Sequence, residues 1–243
     1  MSTLLVLGAT SDMARATALK FALNGWDIQF AGRNQEKVSV IAQDIAVRSG
    51  RKTSAYSFNV LESESASQLW ESLPEKPDVV LCAIGLLGDQ QVARHDMSLA
   101  GEILQSNFTG LVPILSLTAD YFEEQRNGCI IGISSVAGDR GRASNYIYGS
   151  AKAGFTAFLS GLRSRLARKK IHIMTVKPGF VATRMTEGME LPPTLTASPD
   201  EIATAIWNGF NKKRNIIYVK PIWRLVIFII KHIPECIFKF TKI

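Results

Sequence analysis

The sequence predicts a single α/β domain built on a doubly wound parallel sheet and extended at its C-terminal end by an amphipathic segment. Three observations carry this. Short runs rich in Val, Ile and Leu recur along the chain, amphipathic stretches of crossover length separate them, and no repeat, low-complexity tract or Pro/Ser-rich linker interrupts the alternation. With 243 residues, 47% of them hydrophobic, the chain can bury one sizeable core.

The apolar runs place strands at residues 3–8, 27–31, 53–58, 78–83, 129–134, 172–177 and 215–219. Their nearly continuous apolarity suits strands covered by helices on both faces. The amphipathic stretches 12–24, 35–48, 99–125 and 145–169 are read as crossover helices joining parallel neighbours. At the start, Met1-Ser2-Thr3 runs straight into Leu4-Leu5-Val6-Leu7-Gly8, which predicts a first strand and lacks the basic leader and cleavage site of a secretory signal. Cys82, Cys129 and Cys236 are odd in number, widely spaced and form no CxxC pair, so a reducing, cytoplasmic compartment is expected. His95, His172 and His232 also lack ligand spacing, and no metal is expected.

The formal net charge of +7 is unevenly distributed. Residues 212–243 hold eight basic residues against one acid, Glu235, which accounts for the whole excess. The body is balanced, which argues against nucleic acid as a partner and toward a membrane surface, because the basic tail is also apolar and aromatic. Its run from Ile222 to Lys231 is too short to span a bilayer, which takes about 20 apolar residues. Two readings stand: the segment lies at the inner face of the membrane as a peripheral contact, or it packs on the core or on a neighbouring subunit. The chain therefore divides into a domain, 1–220, and a basic apolar segment, 221–243.

Candidate chemistry begins after the first strand. Gly8-Ala9-Thr10-Ser11-Asp12-Met13-Ala14 opens a predicted helix, where backbone amides and the positive helix end can face a phosphate. Gly8, Thr10, Ser11, Asp12 and Met13 are the candidate contacts. Only one glycine of the usual dinucleotide fingerprint remains, and Asp12 suits a pyrophosphate neighbourhood only if it turns away as the helix N-cap. The bland alternative is an ordinary strand-to-helix turn. After the second run, Ala31-Gly32-Arg33-Asn34 offers no acid for a ribose 2′-hydroxyl. Arg33 suits a 2′-phosphate, which favours NADP(H) over NAD(H), unless it is a solvated surface arginine.

Further on, Tyr148-Gly149-Ser150-Ala151-Lys152 sets a phenol and an ammonium four apart, on one helix face. A neighbouring ammonium stabilises the phenolate and lowers its pKa, which makes Tyr148 usable as proton donor and acceptor beside a carbonyl. YxxxK alone is common, so its company matters. Ser135 ends the fifth run and can hydrogen-bond a substrate oxygen. Asn107, in the long apolar stretch before it, either holds water in a proton relay or bends the helix. After the sixth run, Pro178, Gly179, Val181 and Thr183 form a sharp turn at a carboxyl strand end.

In this order and at these spacings, the Gly loop, Asn, Ser, YxxxK and PG-x-V-x-T resemble the short-chain dehydrogenase/reductase family over residues 3–220. The resemblance implies a Rossmann-like domain and hydride transfer between a nicotinamide dinucleotide and a carbonyl or alcohol. It implies the tetrad Asn107, Ser135, Tyr148 and Lys152, with Lys152 tuning Tyr148 and holding the nicotinamide ribose. It also implies a homodimer or homotetramer. Asn59, Val60, Ala83 and Gly85 take the places of the family's adenosine-half contacts. Two departures stand there: Cys82-Ala83-Ile84-Gly85 replaces Asn-Asn-Ala-Gly, and Asn59 replaces an acid that members often use.

Within the family, Ala83–Asp89, the Gly8–Asp12 loop and Ile217–Pro221 resemble the branch containing the decaprenylphosphoryl-ketopentose (2-keto-ribose) reductases. That implies a keto-sugar carried on a lipid phosphate. Residues 185–199, apolar through Met185, Met189, Leu191 and Leu195, sit where the family carries its substrate lid. The alternatives are a soluble reductase of small or lipid carbonyls, and a non-catalytic nucleotide-binding scaffold, which the depleted glycine loop motivates.

Overall fold

Seven strands of four to seven residues pair in parallel throughout the main sheet, most of them rich in Val, Ile and Leu. The computed structural model describes residues 2–241. β1 (Thr3–Leu7), α1 (Asp12–Ala22), β2 (Asp27–Gly32), α2 (Gln35–Ser49) and β3 (Thr53–Ser57) form the first half. After α3 (Ser65–Ser72) come β4 (Val79–Cys82), α4 (Gln90–Ala93), α5 (Met97–Asn107), α6 (Val112–Gln125), β5 (Cys129–Ile133), α7 (Tyr146–Leu166) and β6 (His172–Pro178). The chain continues through β7 (Phe180–Val181), β8 (Thr196–Ala197), α8 (Pro199–Asn211), β9 (Ile216–Val219), α9 (Ile222–His232) and α10 (Glu235–Phe238).

The sheet order is β3-β2-β1-β4-β5-β6-β9, with β7 and β8 forming a separate pair. The strand order reverses between β1 and β4, whose carboxyl ends lie side by side with Leu7 opposite Cys82. In a doubly wound sheet this switch point opens the crevice in which ligands bind. Alternate residues of each strand serve the two faces: Leu4 and Val6 join Phe21 and Ile206 on one side, while Leu5 and Leu7 join Phe122 and Phe155 on the other. The α1/α8 layer is closed by a ring cluster, with Phe21 5.0 Å from Trp207 and 5.3 Å from Trp26 between centroids.

The expected strands are present, with ends that shift by a residue. The single helix expected over 99–125 is not. Phe108 leaves helical angles (φ −147°, ψ −74°), and a short 3-10 turn, Thr109–Leu111, leads into α6, where Pro113 sits in the first turn. Proline lacks an N–H and restricts its predecessor, so it starts a helix more readily than it continues one. The break leaves Asn107 as the last residue of α5, fully buried.

Candidate active site

The site grows from the carboxyl ends of β1, β4 and β5. At the end of β1, Gly8 adopts φ +89°, and a Cβ there would lie 3.0 Å from the backbone of both Ala83 and Ile84. Only glycine lets the two strand ends approach this closely with a left-handed turn between strand and helix. The turn delivers α1, which begins at Asp12 with its free amides facing a cleft of about 490 Å³. Gly8, Thr10, Ser11, Asp12, Met13, Arg33, Val60, Ala83, Gly85, Tyr148, Lys152 and Thr183 all line that cleft. A bare glycine turn, a helix N-terminus and a long cleft at the switch point fit a dinucleotide.

Asp12 departs from the expected N-cap role. Ser11 stands at the cap, and Asp12 in the first turn accepts a hydrogen bond from the Arg184 amide at 3.1 Å and pairs with its guanidinium at 3.5 Å. Arg184 also donates to the Thr10 carbonyl. The acid is therefore offset by a cation, and the clasp ties the Gly8–Asp12 turn to the residue before the segment 185–199, the expected lid.

Arg33 is exposed and holds only a loose contact with Glu102, at 4.0 Å. Lys37 lines the same end of the cleft, one helical turn on; its only sequence signal is the spacing of four from Arg33. Asn34, between them, caps α2 by accepting from the Lys37 amide at 2.9 Å. Two cations beside a helix start suit a phosphate monoester.

Four of the expected cofactor residues stand back from the cleft lining. Asn59 spends its side chain locally, donating to Glu62 at 2.7 Å and accepting from the Leu61 amide at 3.2 Å. Pro178, Gly179 and Val181 build the turn behind Thr183, with Gly179 under the Trp223 indole.

The tetrad residues converge. Asn107 donates to the carbonyls of Leu86 (2.6 Å) and Ile103 (2.8 Å) and accepts from the Leu86 amide (3.3 Å). This holds the loop after β4 against the broken end of α5. A Cβ on Gly85 would lie 2.9 Å from Asn107 Oδ1 and 3.4 Å from Lys152 Nζ, so the three groups meet across a glycine. Lys152 is buried, donates to the Ile133 carbonyl at 3.1 Å and lies 5.7 Å from the Tyr148 ring centroid. Ser135 accepts from the Ala137 amide at 3.1 Å and sits beside Tyr148, close enough to act on its phenol.

The electrostatics differ from expectation. Burial pushes the Tyr148 phenol up to about 12, and Ser135, not Lys152, draws it back. Lys152 is itself pushed down to about 8 by burial, partly offset by the nearby Cys82. Its ammonium is spent on a backbone carbonyl. The result is a phenol fully protonated near neutrality, which is the state a proton donor needs.

Ser134, next to the tetrad serine, carries a positioning role that no motif announces. Its hydroxyl donates to the Lys152 carbonyl at 3.1 Å and lies 2.7 Å from the Thr156 hydroxyl, pinning α7 to the end of β5.

Known proteins resemble the chain in sequence and in fold. Residues 2–192 match the family described as short chain dehydrogenase. An uncharacterized oxidoreductase of Streptomyces coelicolor is 31% identical over 240 residues, covering 98% of this chain and 94% of that protein. A 3-oxoacyl-[acyl-carrier-protein] reductase of Aquifex aeolicus is 29% identical over 215 residues, 83% of this chain and 87% of that one. Among solved structures, a short-chain dehydrogenase from Sphingobium yanoikuyae in complex with NADPH superposes with a TM-score of 0.82 at 20% identity, covering 97% of each chain. The chain belongs to the short-chain dehydrogenase/reductase family, and it is an oxidoreductase.

Proposed function

We propose that the protein reduces a carbonyl to an alcohol with NADPH, Tyr148 supplying the proton. The observation that carries this reading is the placing of Tyr148 and Lys152 on the lining of the cleft that starts at the Gly8 turn, with Ser135 beside Tyr148. A bound nicotinamide supplies the hydride. The chain's own residues do the rest: Ser135 orients the substrate oxygen, the neutral Tyr148 phenol donates its proton to it, and Lys152 holds positive charge nearby. Asn107 keeps the Gly85–Leu86 loop and Lys152 in register.

The preference for NADP(H) over NAD(H) rests on Arg33 and Lys37. Arg33→Ala is expected to weaken NADPH more than NADH, by about ten- to hundredfold, the worth of a charged hydrogen bond. Calorimetry with both nucleotides tests it; equal losses would make Arg33 a solvent-exposed surface residue and remove the preference.

The finer reading of the substrate is a keto-sugar on a polyprenyl phosphate. It is supported by the resemblance at Ala83–Asp89 and by the exposed Met185 and Met189 of the lid, which offer an apolar chain a surface. The same reading takes residues 1–220 as the reductase domain and 221–243 as an appendage, of which 242 and 243 lie outside the described residues, as does Met1. It also carries a homodimer or homotetramer. The scaffold alternative rests on the depleted glycine loop, yet the one glycine kept, Gly8, makes the close turn that the cleft needs. NADPH oxidation against a panel of ketones and keto-sugars tests the reading, and no turnover with any carbonyl would refute it.

A further inference from the structure

The C-terminal segment has two apolar faces, and only one of them is used. Trp223, Ile227 and Ile230, at i, i+4 and i+7, point inward and are buried with Val136 and Phe238. The opposite face carries Ile222, Leu225, Phe228 and Ile229, continued by Ile237 and Phe240, and each of these is about half exposed or more, up to 79% at Phe240. Arg224 and Lys231, seven apart and so on one edge of α9, are exposed, as is Lys239. None of these cations has a carboxylate partner among the described residues. Glu235, the segment's one acid, is taken by Arg140 at 2.9 Å.

The inner face grips two parts of the chain, the segment 185–199 and the loop between Ser135 and Tyr148. The Trp223 indole donates to the Leu195 carbonyl of the lid at 2.9 Å, stacks edge-on against Phe180 at 5.4 Å, and covers Gly179 so closely that a Cβ there would lie 1.8 Å away. Arg140, on the loop between Ser135 and Tyr148, donates to the carbonyls of Ile230 and Ile233 and lies 3.6 Å over the Phe238 ring. The segment is thus fixed to the lid on one side and to the catalytic loop on the other.

We propose that the outer face of α9 and α10 docks on an anionic lipid surface and holds the mouth of the substrate site against it. A helix with apolar and aromatic side chains outward, a cationic edge and no paired acid has the chemistry of an in-plane interfacial helix. Among the described residues no helix is long and apolar enough to cross a membrane. A second copy of the chain fits the face less well: a two-fold contact would set the same cationic edge near itself with no carboxylate to neutralise it. The consequence for substrate entry rests on the reductase reading, whereas docking itself does not.

The test is co-sedimentation of the full chain with phosphatidylcholine vesicles with and without phosphatidylglycerol, at low and high salt, beside light scattering for mass. The parent is expected to bind the anionic vesicles at low salt and to release at high salt. Leu225→Glu/Phe228→Glu and, separately, Arg224→Glu/Lys231→Glu are each expected to weaken binding at least about tenfold. Both variants should keep the parent's mass and its NADPH-dependent reduction of a soluble ketone. No binding by the parent, or undiminished binding by both variants, would overturn the proposal. So would variants that fall to a smaller mass while vesicle binding is unchanged, which would assign the face to a second copy. Failure of the reductase reading would appear instead as absent ketone reduction in the parent, leaving the vesicle result intact.

Discussion

Tyr148→Phe is expected to lower turnover by about 10²–10⁴-fold, the usual contribution of a positioned general acid, while nucleotide affinity stays near that of the parent. The phenylalanine ring fills the same space at the start of α7, so the cleft keeps its shape, and only the hydroxyl beside Ser135 is lost. The effect should fall on kcat, because the proton moves only in the transition state. Since burial holds the phenol near 12, the parent's donor stays protonated through the neutral range, and the first group to titrate on raising pH is Lys152, at about 8. Reduction should therefore decline above that pH as the charge beside the substrate oxygen is lost. Residual Tyr148→Phe activity within about tenfold of the parent would remove Tyr148 from the proton-donor role.

The largest stability effect is expected at Asp139. Its carboxylate lies 2.6 Å from Lys177 Nζ, with both side chains almost completely buried, and accepts from the Tyr218 hydroxyl at 3.2 Å. The trio joins β6 and β9 to the loop between Ser135 and Tyr148. Asp139→Ala leaves the Lys177 ammonium buried without its counter-charge, at a cost of about 3–5 kcal/mol. For a chain of this size that lowers the thermal midpoint by about 10 °C. Replacing both partners, Asp139→Leu with Lys177→Met, should recover most of the loss, because two apolar groups need no pairing. Calorimetric or urea unfolding of the three variants measures this, and a single-variant loss below about 1 kcal/mol would show that water reaches the pair.

The sheet and the positions of the candidate tetrad can be read in the sequence because both depend on short local patterns. Short apolar runs such as Leu4–Leu7 can only be buried strands in this alternation, and the order Asn, Ser, YxxxK can be read without knowledge of contacts. The 99–125 stretch reads as one helix because apolar periodicity continues across a break that Pro113 and Phe108 impose. Helix α8 could have been found: Ser198 and Glu201 form a reciprocal capping box with Pro199 in the first turn.

What the sequence could not supply were partners distant along the chain. Arg184 meets Asp12 from 172 residues away, and Arg140 reaches Ile233 across 93. The Tyr148 environment was also misjudged, since spacing places Lys152 on the right face but does not show that its ammonium turns to the Ile133 carbonyl. In the tail, interfacial contact and packing on the core are the alternatives; Trp223, Ile227, Ile230 and Phe238 pack inward, while Ile222, Leu225, Phe228, Ile229, Ile237 and Phe240 stay exposed.

The central claim is hydride transfer at this site, and isotope transfer measures it directly. The protein is incubated with NADPH deuterated at the reactive nicotinamide carbon and a carbonyl substrate, and the product is weighed by mass spectrometry. The parent is predicted to yield alcohol carrying one deuterium on the former carbonyl carbon, with Tyr148→Phe yielding almost none. Unlabelled alcohol from the parent, or labelled alcohol formed equally fast by the Tyr148→Phe variant, would contradict it.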